Sequence, residues 1–176
     1  MSTITHNVNR IVLDATCSFE EMRKRFEAAV PPLDLQLVAS LVQPRMSWND
    51  ITTAVNTHSP SGFFVFWEMD VMSMMRLAGH EGSCVEYLIG NYAVAERMFR
   101  WDRSAMLHAP LRTLIYTDGK NNARVAIDQP SSVFSSFNND ALAEVGKELD
   151  RKLGALFKTL DLPESAIVNA SELAES

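Results

Sequence analysis

The strongest hydrophobic pattern in the chain lies near its C-terminus. Leucine and valine side chains recur there at steps of three and four residues, at Leu142, Val145, Leu149, Leu153, Leu156 and Leu160. This spacing places them on one face of an α-helix, so the sequence predicts a long amphipathic helix. Asn138 or Asn139 is a suitable N-cap, and Pro163 ends the helix because proline cannot donate a backbone hydrogen bond.

Four central stretches are typical of β-strands. They are rich in aromatic and β-branched residues or alternate between apolar and polar positions, and they cover residues 63–70, 84–90, 111–118 and 123–128. The first reads as a buried strand, and a weaker alternation at residues 7–15 predicts another strand before it. Arg112, Leu114 and Tyr116 share one face of their strand, because successive side chains point to opposite faces.

Helices are predicted on both sides of the first central strand. Ser18 and Glu21 form a capping box, and the helix that they begin ends at Pro31. Residues 31–62 are interpreted as a helical insertion, with a second capping box at Ser47. The methionine-rich segment 71–79 is interpreted as a short helix that fills the core, since methionine commonly fills irregular gaps.

The order of elements defines the fold class. A strand, a helix, the insertion, four strands and a long helix predict an α+β domain with a mostly antiparallel sheet of about five strands and helices on one face. Residues 1–163 form this single domain. Residues 164–176 are small and polar, and we expect a flexible C-terminal tail there.

Composition excludes several classes of partner. The 176 residues are 47% apolar and carry a formal charge of −6, which disfavours binding to nucleic acid or to anionic membranes. The most apolar run, residues 63–75, is interrupted by acidic residues and is too short to span a bilayer. Cys17 and Cys84 form no disulfide framework, and no targeting segment is visible, so we expect a cytoplasmic protein.

The sequence contains no established catalytic motif, neither a nucleophile elbow, a phosphate-binding loop nor a dinucleotide-binding fingerprint. His80 and Cys84 have a spacing that can place both on a metal, but a structural zinc site needs about four ligands. We therefore expect neither a metal nor a cofactor.

Isolated polar residues mark the candidate chemistry. His108 is a candidate general base or ligand contact, and Glu86 on a central strand needs a partner such as Arg112 or Arg124 if it is buried. Arg97 and Arg100 share a helix face that suits a carboxylate or phosphate, although interleaved acidic residues favour a solvated, self-compensated face. Aromatic side chains from the strands line either the core or an apolar pocket.

A family resemblance rests on three segments of the chain. These are FFVFWEMD, LIGNYAVAERM and WDRSAMLHAPLRTLIYTDGKNNARVAIDQPSSVF. They resemble the domain of unknown function 302 over about residues 5–20 and 63–160. The resemblance includes the residues at the ends and starts of the predicted elements, which are Asp70, Gly79, Gly90-Asn91, Pro110 and Pro130. The resemblance implies a TATA-binding-protein-like fold of the form β-α-β4-α, with a curved sheet and a homodimer. It supplies no settled activity.

Three functions remain open. The preferred one is a non-catalytic homodimer that binds a small, partly apolar or anionic ligand between the sheet and the last helix. Its predicted ligand-binding residues are Tyr87, Asn91, Arg97, His108, Arg112 and Tyr116. The first alternative is an enzyme that uses His108 and Glu86 as acid–base groups on a small anionic substrate. The second is a structural protein–protein interaction module.

Overall fold

The protein is described by a computed structural model that covers residues 3–42 and 46–167. The strands are β1 (Arg10–Asp14), β2 (Phe64–Asp70), β3 (Cys84–Gly90), β4 (Leu111–Thr117) and β5 (Ala123–Asp128). The helices are α1 (Phe19–Ala29), α2 (Leu35–Leu41), α3 (Trp48–His58), α4 (Met72–Met75), α5 (Tyr92–Phe99), α6 (Pro130–Phe134) and α7 (Asp140–Thr159). Short 3-10 helices lie at Arg76–Ala78, Arg103–His108 and Ser135–Phe137.

The five strands form one antiparallel sheet in the order β1-β5-β4-β3-β2. Strand β1 therefore pairs with β5, the last strand in sequence, while β2 lies at the opposite edge. The predicted α+β class with five strands and a long C-terminal helix is confirmed. The helical insertion is also confirmed, because α2 and α3 fall within residues 31–62.

The core lies between one face of the sheet and the helices. Val85, Tyr87 and Ile89 point into it from β3 and are almost completely buried. Met22 and Phe26 of α1 pack against this face, as do the leucines of α7 that the sequence pattern predicts. Each such side chain contributes roughly 1.5–3 kcal/mol when it is removed from water.

The local signals for helix ends work as expected. The Ser18 hydroxyl accepts a hydrogen bond from the Glu21 N–H at 3.2 Å, and α1 ends at Ala29, before the proline pair. Ser47 and Asp50 form a reciprocal capping box at the start of α3, which continues to His58.

Two expectations about burial were wrong. Only the beginning of β2 is buried, whereas the Trp67 and Met69 side chains are 43% and 42% exposed. In the methionine-rich segment Met72 is buried, but Met74 is 65% exposed. The strand register explains the exposure in β2, because Trp67 pairs with Leu88 and Met69 with Glu86, so both side chains point to the face of the sheet opposite to the core.

The C-terminal segment begins in contact with the core. Ile167 is fully buried, and its side chain packs beside Gly154 of α7. The rest of the predicted tail, residues 168–176, lies outside the described residues. Within the described ranges, no helix combines the length and the apolar character needed to cross a membrane.

Candidate functional site

An apolar cavity of about 170 Å³ opens beside the ends of β3 and β4. Helix α5 and helix α7 form its other walls. Apart from Asn91 and Tyr92, the residues that line it are apolar, and they include Phe63, Ile89, Val94, Met98, Leu111 and Leu149. The predicted cavity between the sheet and the last helix corresponds to this space.

The mouth of the cavity is framed by aromatic rings. The Phe66 and Tyr92 rings meet edge to face, with centroids 5.1 Å apart. Phe66 occupies a β-bulge between Val65 and Trp67, and such bulges re-aim a side chain relative to the regular alternation. The Phe66 ring packs beside Gly90, where a Cβ would lie 3.4 Å from the ring, an ordinary contact distance.

Asn91 is the predicted site residue that lines this cavity. It caps α5 by accepting a hydrogen bond from the Ala93 N–H at 2.8 Å. Its amide group also donates to the Gly62 carbonyl at 3.0 Å. Both ends of the side chain therefore hold the cavity wall in place.

His108 and Arg112 line a second, more polar cleft of about 170 Å³, together with Asp128 and Phe134. The His108 ring makes edge contacts with Phe134, with centroids 6.3 Å apart. Burial, with a smaller contribution from nearby His6, lowers the pKa of His108 below its ordinary value of 6.5. The neutral imidazole is therefore the favoured form in this aromatic environment.

Arg112 itself bonds to Glu86, with 2.7 Å between the guanidinium and the carboxylate. The expected ion pair of Glu86 with a neighbouring arginine is thus confirmed. The ring contacts that the described structure gives His108 are with aromatic and imidazole rings, not with Glu86. No described contact joins the two groups of the enzyme alternative.

Tyr87 lies in the core, on the face of the sheet opposite to Arg112 and Tyr116. Its hydroxyl donates to the Glu27 carboxylate of α1 at 2.8 Å, and burial together with this bond raises the pKa of Tyr87. Although burial opposes it, hydrogen bonds from Arg23 and Tyr87 lower the pKa of Glu27. Sequence reasoning missed Glu27, whose one signal is its helical spacing of four residues from Arg23.

Arg97 forms an ion pair with Glu148 of α7 at 2.5 Å and so ties α5 to the last helix. Arg100 pairs with Glu96 on its own helix. The Arg100 pair matches the expectation of a self-compensated helix face, whereas the charge of Arg97 is compensated from another helix.

Within residues 3–42 and 46–167, no helix packs on the second face of the sheet. Val12, Leu114 and Ala126 form an apolar row across it, since the strand register aligns them. Pairs of opposite charge flank the row: Arg10 with Asp128, Arg124 with Asp14, and Arg112 with Glu86. Tyr116 also lies on this face. We call this surface the open face of the sheet.

The two cysteines are free thiols. Burial, with contributions from Glu86 and Asp70, raises the pKa of Cys84, so its thiolate is disfavoured. Within residues 3–42 and 46–167, no three His, Cys, Asp or Glu side chains are grouped to hold a metal ion.

A single antiparallel sheet with helices on one face, and an apolar cavity where the sheet meets two of them, defines a small α+β protein. Residues 42–160 match the model of the family described as "Domain of unknown function DUF302", and the chain belongs to this family. The chain is also similar to a crystal structure of the uncharacterized conserved protein DUF302 from Bacillus stearothermophilus, at 15% identity and a TM-score of 0.61. The similarity covers 86% of this chain and 97% of that one, and it shows a shared fold. No curated protein matches the sequence.

Proposed function

We propose that the protein is a non-catalytic binder of a small ligand, which lies in the apolar cavity between the sheet, α5 and α7. The cavity itself carries this proposal. Ligand sites are concave and mostly apolar, with a few polar groups near one end, and Asn91 and Tyr92 occupy that position here. Among the described lining residues there is no carboxylate, imidazole, thiol or amine, which favours binding over acid–base catalysis.

A cavity-filling variant tests this function. In Ala95→Leu the added methyl groups point into the cavity, whereas Ala93→Leu adds the same groups to α5 at a position that does not line it. We expect ligand-observed NMR with a library of small organic molecules to find compounds that bind the wild type and Ala93→Leu but not Ala95→Leu. A library in which no compound shows this dependence contradicts the proposal.

The homodimer implied by the family resemblance is best explained by the open face of the sheet. Val12, Trp67 and Met69 are each more than 40% exposed there. The three ion pairs on this face balance its charge, which suits a second copy of the same surface better than a strongly charged partner. A two-fold interface requires this kind of self-complementarity.

A charge introduced on the open face separates the dimer from a monomer. We expect light scattering at micromolar concentration to give twice the chain mass for the wild type and the mass of one chain for Val12→Glu. Leu77→Glu is the matched control, because Leu77 is 82% exposed but lies outside the open face. A wild type of monomeric mass, or a dimer that survives Val12→Glu, removes this proposal.

We also place the protein in the cytoplasm on chemical grounds, since both cysteines are free thiols and persist best in a reducing compartment. The TATA-binding-protein-like fold and the flexible tail at residues 164–176 stay predictions. So do the ligand contacts of Tyr87, Arg97, His108, Arg112 and Tyr116, which lie outside the apolar cavity.

A further inference from the structure

We infer that the natural ligand of the apolar cavity is a neutral, largely hydrocarbon molecule about the size of one aromatic ring. This inference rests on the proposed function, and it narrows the expected ligand, which the sequence left as partly apolar or anionic. It follows from the electrostatics, the hydrogen-bonding capacity and the volume of the cavity.

The electrostatics of the cavity exclude an anion. The described lining contains no arginine, lysine or histidine that could pair with a carboxylate or phosphate. Arg97, the basic residue of α5, is held by Glu148. Moving an unpaired anion from water into such a space is unfavourable, because the anion loses its hydration and gains no partner of opposite charge. A charged ligand would therefore bind much more weakly than its neutral analogue of the same shape.

The hydrogen-bonding capacity is confined to one end. Asn91 already uses its carbonyl oxygen for the Ala93 N–H and its amide for the Gly62 carbonyl. Two groups are left for a ligand: the second hydrogen-bonding position of the Asn91 amide and the hydroxyl of Tyr92. The Tyr92 residue is 40% exposed. A single neutral polar group is thus tolerated beside Asn91 and Tyr92, while the remainder of the ligand faces side chains such as Phe63 and Leu149.

The volume of the cavity indicates the size of the ligand. A cavity of about 150 Å³ lined by Leu, Ile and Phe in another protein stays dry and binds benzene. The cavity here has a similar volume, about 170 Å³, and is open at its mouth, and most of the residues that line it are apolar. Met98 and Met106 add flexible thioether side chains to its wall, and such side chains adapt to and contact aromatic rings favourably. One ring with a small substituent fills this space.

The experiment compares matched neutral and charged probes. Toluene and indole represent the neutral class, and benzoate and phenyl phosphate represent the anionic one. We expect toluene and indole to bind the wild type and Ala93→Leu and to raise the Tm of both. We expect their affinity to fall at least tenfold in Ala95→Leu, and we expect benzoate and phenyl phosphate to bind the wild type at least tenfold more weakly than toluene.

A second measurement locates the probe without any substitution. In protein labelled at its methionine methyl groups, toluene should shift the signals of Met98 and Met106. The signal of Met74 on α4, an exposed residue that does not line the cavity, should not move. These spectra keep the test valid even if Ala95→Leu does not fold.

The outcomes distinguish a wrong ligand class from a wrong ligand site. If benzoate binds as tightly as toluene and shifts the same two methionines, the neutral class is wrong while the cavity remains a ligand site. If neither class shifts Met98 or Met106, both the ligand class and the proposed function are overturned.

Discussion

Replacing Gly146 with valine should lower the free energy of unfolding by about 3 kcal/mol, because helix α6 lies directly against this position. A Cβ atom at Gly146 would stand 2.9 Å from the Ser131 Cα and 3.2 Å from the Phe134 Cβ. These are backbone and near-backbone atoms, which cannot swing aside as the end of a flexible side chain can. The two helices would have to separate, and urea unfolding followed by circular dichroism measures the cost.

Gly154→Ala is the matched control on the same helix. A Cβ there would meet the Glu164 and Ile167 side chains at 3.4 Å, an ordinary contact distance. Alanine is favoured over glycine inside a helix by about 1 kcal/mol, so this variant should be as stable as the wild type or slightly more stable. If Gly146→Val unfolds at the same urea concentration as the wild type, α6 cannot pack as closely as the structure has it.

The close approach of α6 to α7 also matters for the polar cleft. Val133 and Phe134 of α6 form one wall of the cleft that His108 and Arg112 line. Gly146 therefore positions this wall although it touches neither of the two polar residues.

Local sequence signals predict what depends on near neighbours. The period of the leucines in α7 identifies a helix and its buried face, because that period is a property of one segment alone. The caps at Ser18, Ser47 and Asn139 are equally local, and each is found where the sequence places it.

The sequence could not give the relation between strands. Tyr87 and Tyr116 each lie on an alternating strand, and both were expected at one site. The register pairs Tyr87 with Thr113, so Tyr87 faces the core while Tyr116 faces away from it. A shift of one residue in the pairing of β3 with β4 would place the two tyrosines on the same face of the sheet. The sequence of neither strand alone determines this register.

The candidate site was predicted only in outline for a related reason. Its place between the sheet and the last helix follows from the fold class, but its mouth depends on the bulge that re-aims Phe66. A bulge inserts one residue without leaving a distinct mark in an apolar run such as residues 63–67. The apolar character of the interior could not be read from the isolated polar residues, most of which lie elsewhere.

Replacing Asp150 with alanine should lower the free energy of unfolding by about 3 kcal/mol. Asp150 lies on α7 one turn after Gly146 and is almost completely buried. Its carboxylate accepts hydrogen bonds from the Gln129 side chain at 3.0 Å and from the Ser131 N–H at 3.1 Å. Without the carboxylate, the Ser131 N–H loses its buried acceptor. A buried donor left without an acceptor lowers the free energy of unfolding by about 1–3 kcal/mol.

The hydrogen bonds of Asp150 extend beyond α6 through Gln129, because the side-chain amide oxygen of Gln129 accepts from the Asn9 side-chain amide at 2.9 Å. Asp140→Ala provides the control, since Asp140 is exposed in the first turn of the same helix. Loss of its favourable interaction with the helix dipole should cost less than about 1 kcal/mol. Equal losses for the two variants in urea unfolding would show that burial of Asp150 has no special importance.

The pH dependence of stability tests the same carboxyl group in a second way. Burial raises the pKa of Asp150 above its ordinary value of 3.8, although the hydrogen bonds from Ser131 and Gln129 oppose this. The folded protein therefore binds more protons at this group than the unfolded chain does, and stability from this group falls as pH rises above 3.8. The stability of the wild type relative to Asp150→Asn should be greatest at the acidic end of the range and decrease toward neutral pH.

Urea unfolding of both proteins at each pH isolates this effect, because every other titrating group is common to them and cancels in the difference. A difference that instead widens toward neutral pH would mean that the Ser131 N–H and the Gln129 amide stabilise the ionised form by more than burial penalises it. Asp150 would then act as an anionic cap that holds α6 against α7, and the loss in Asp150→Ala should be larger at neutral pH than in acid.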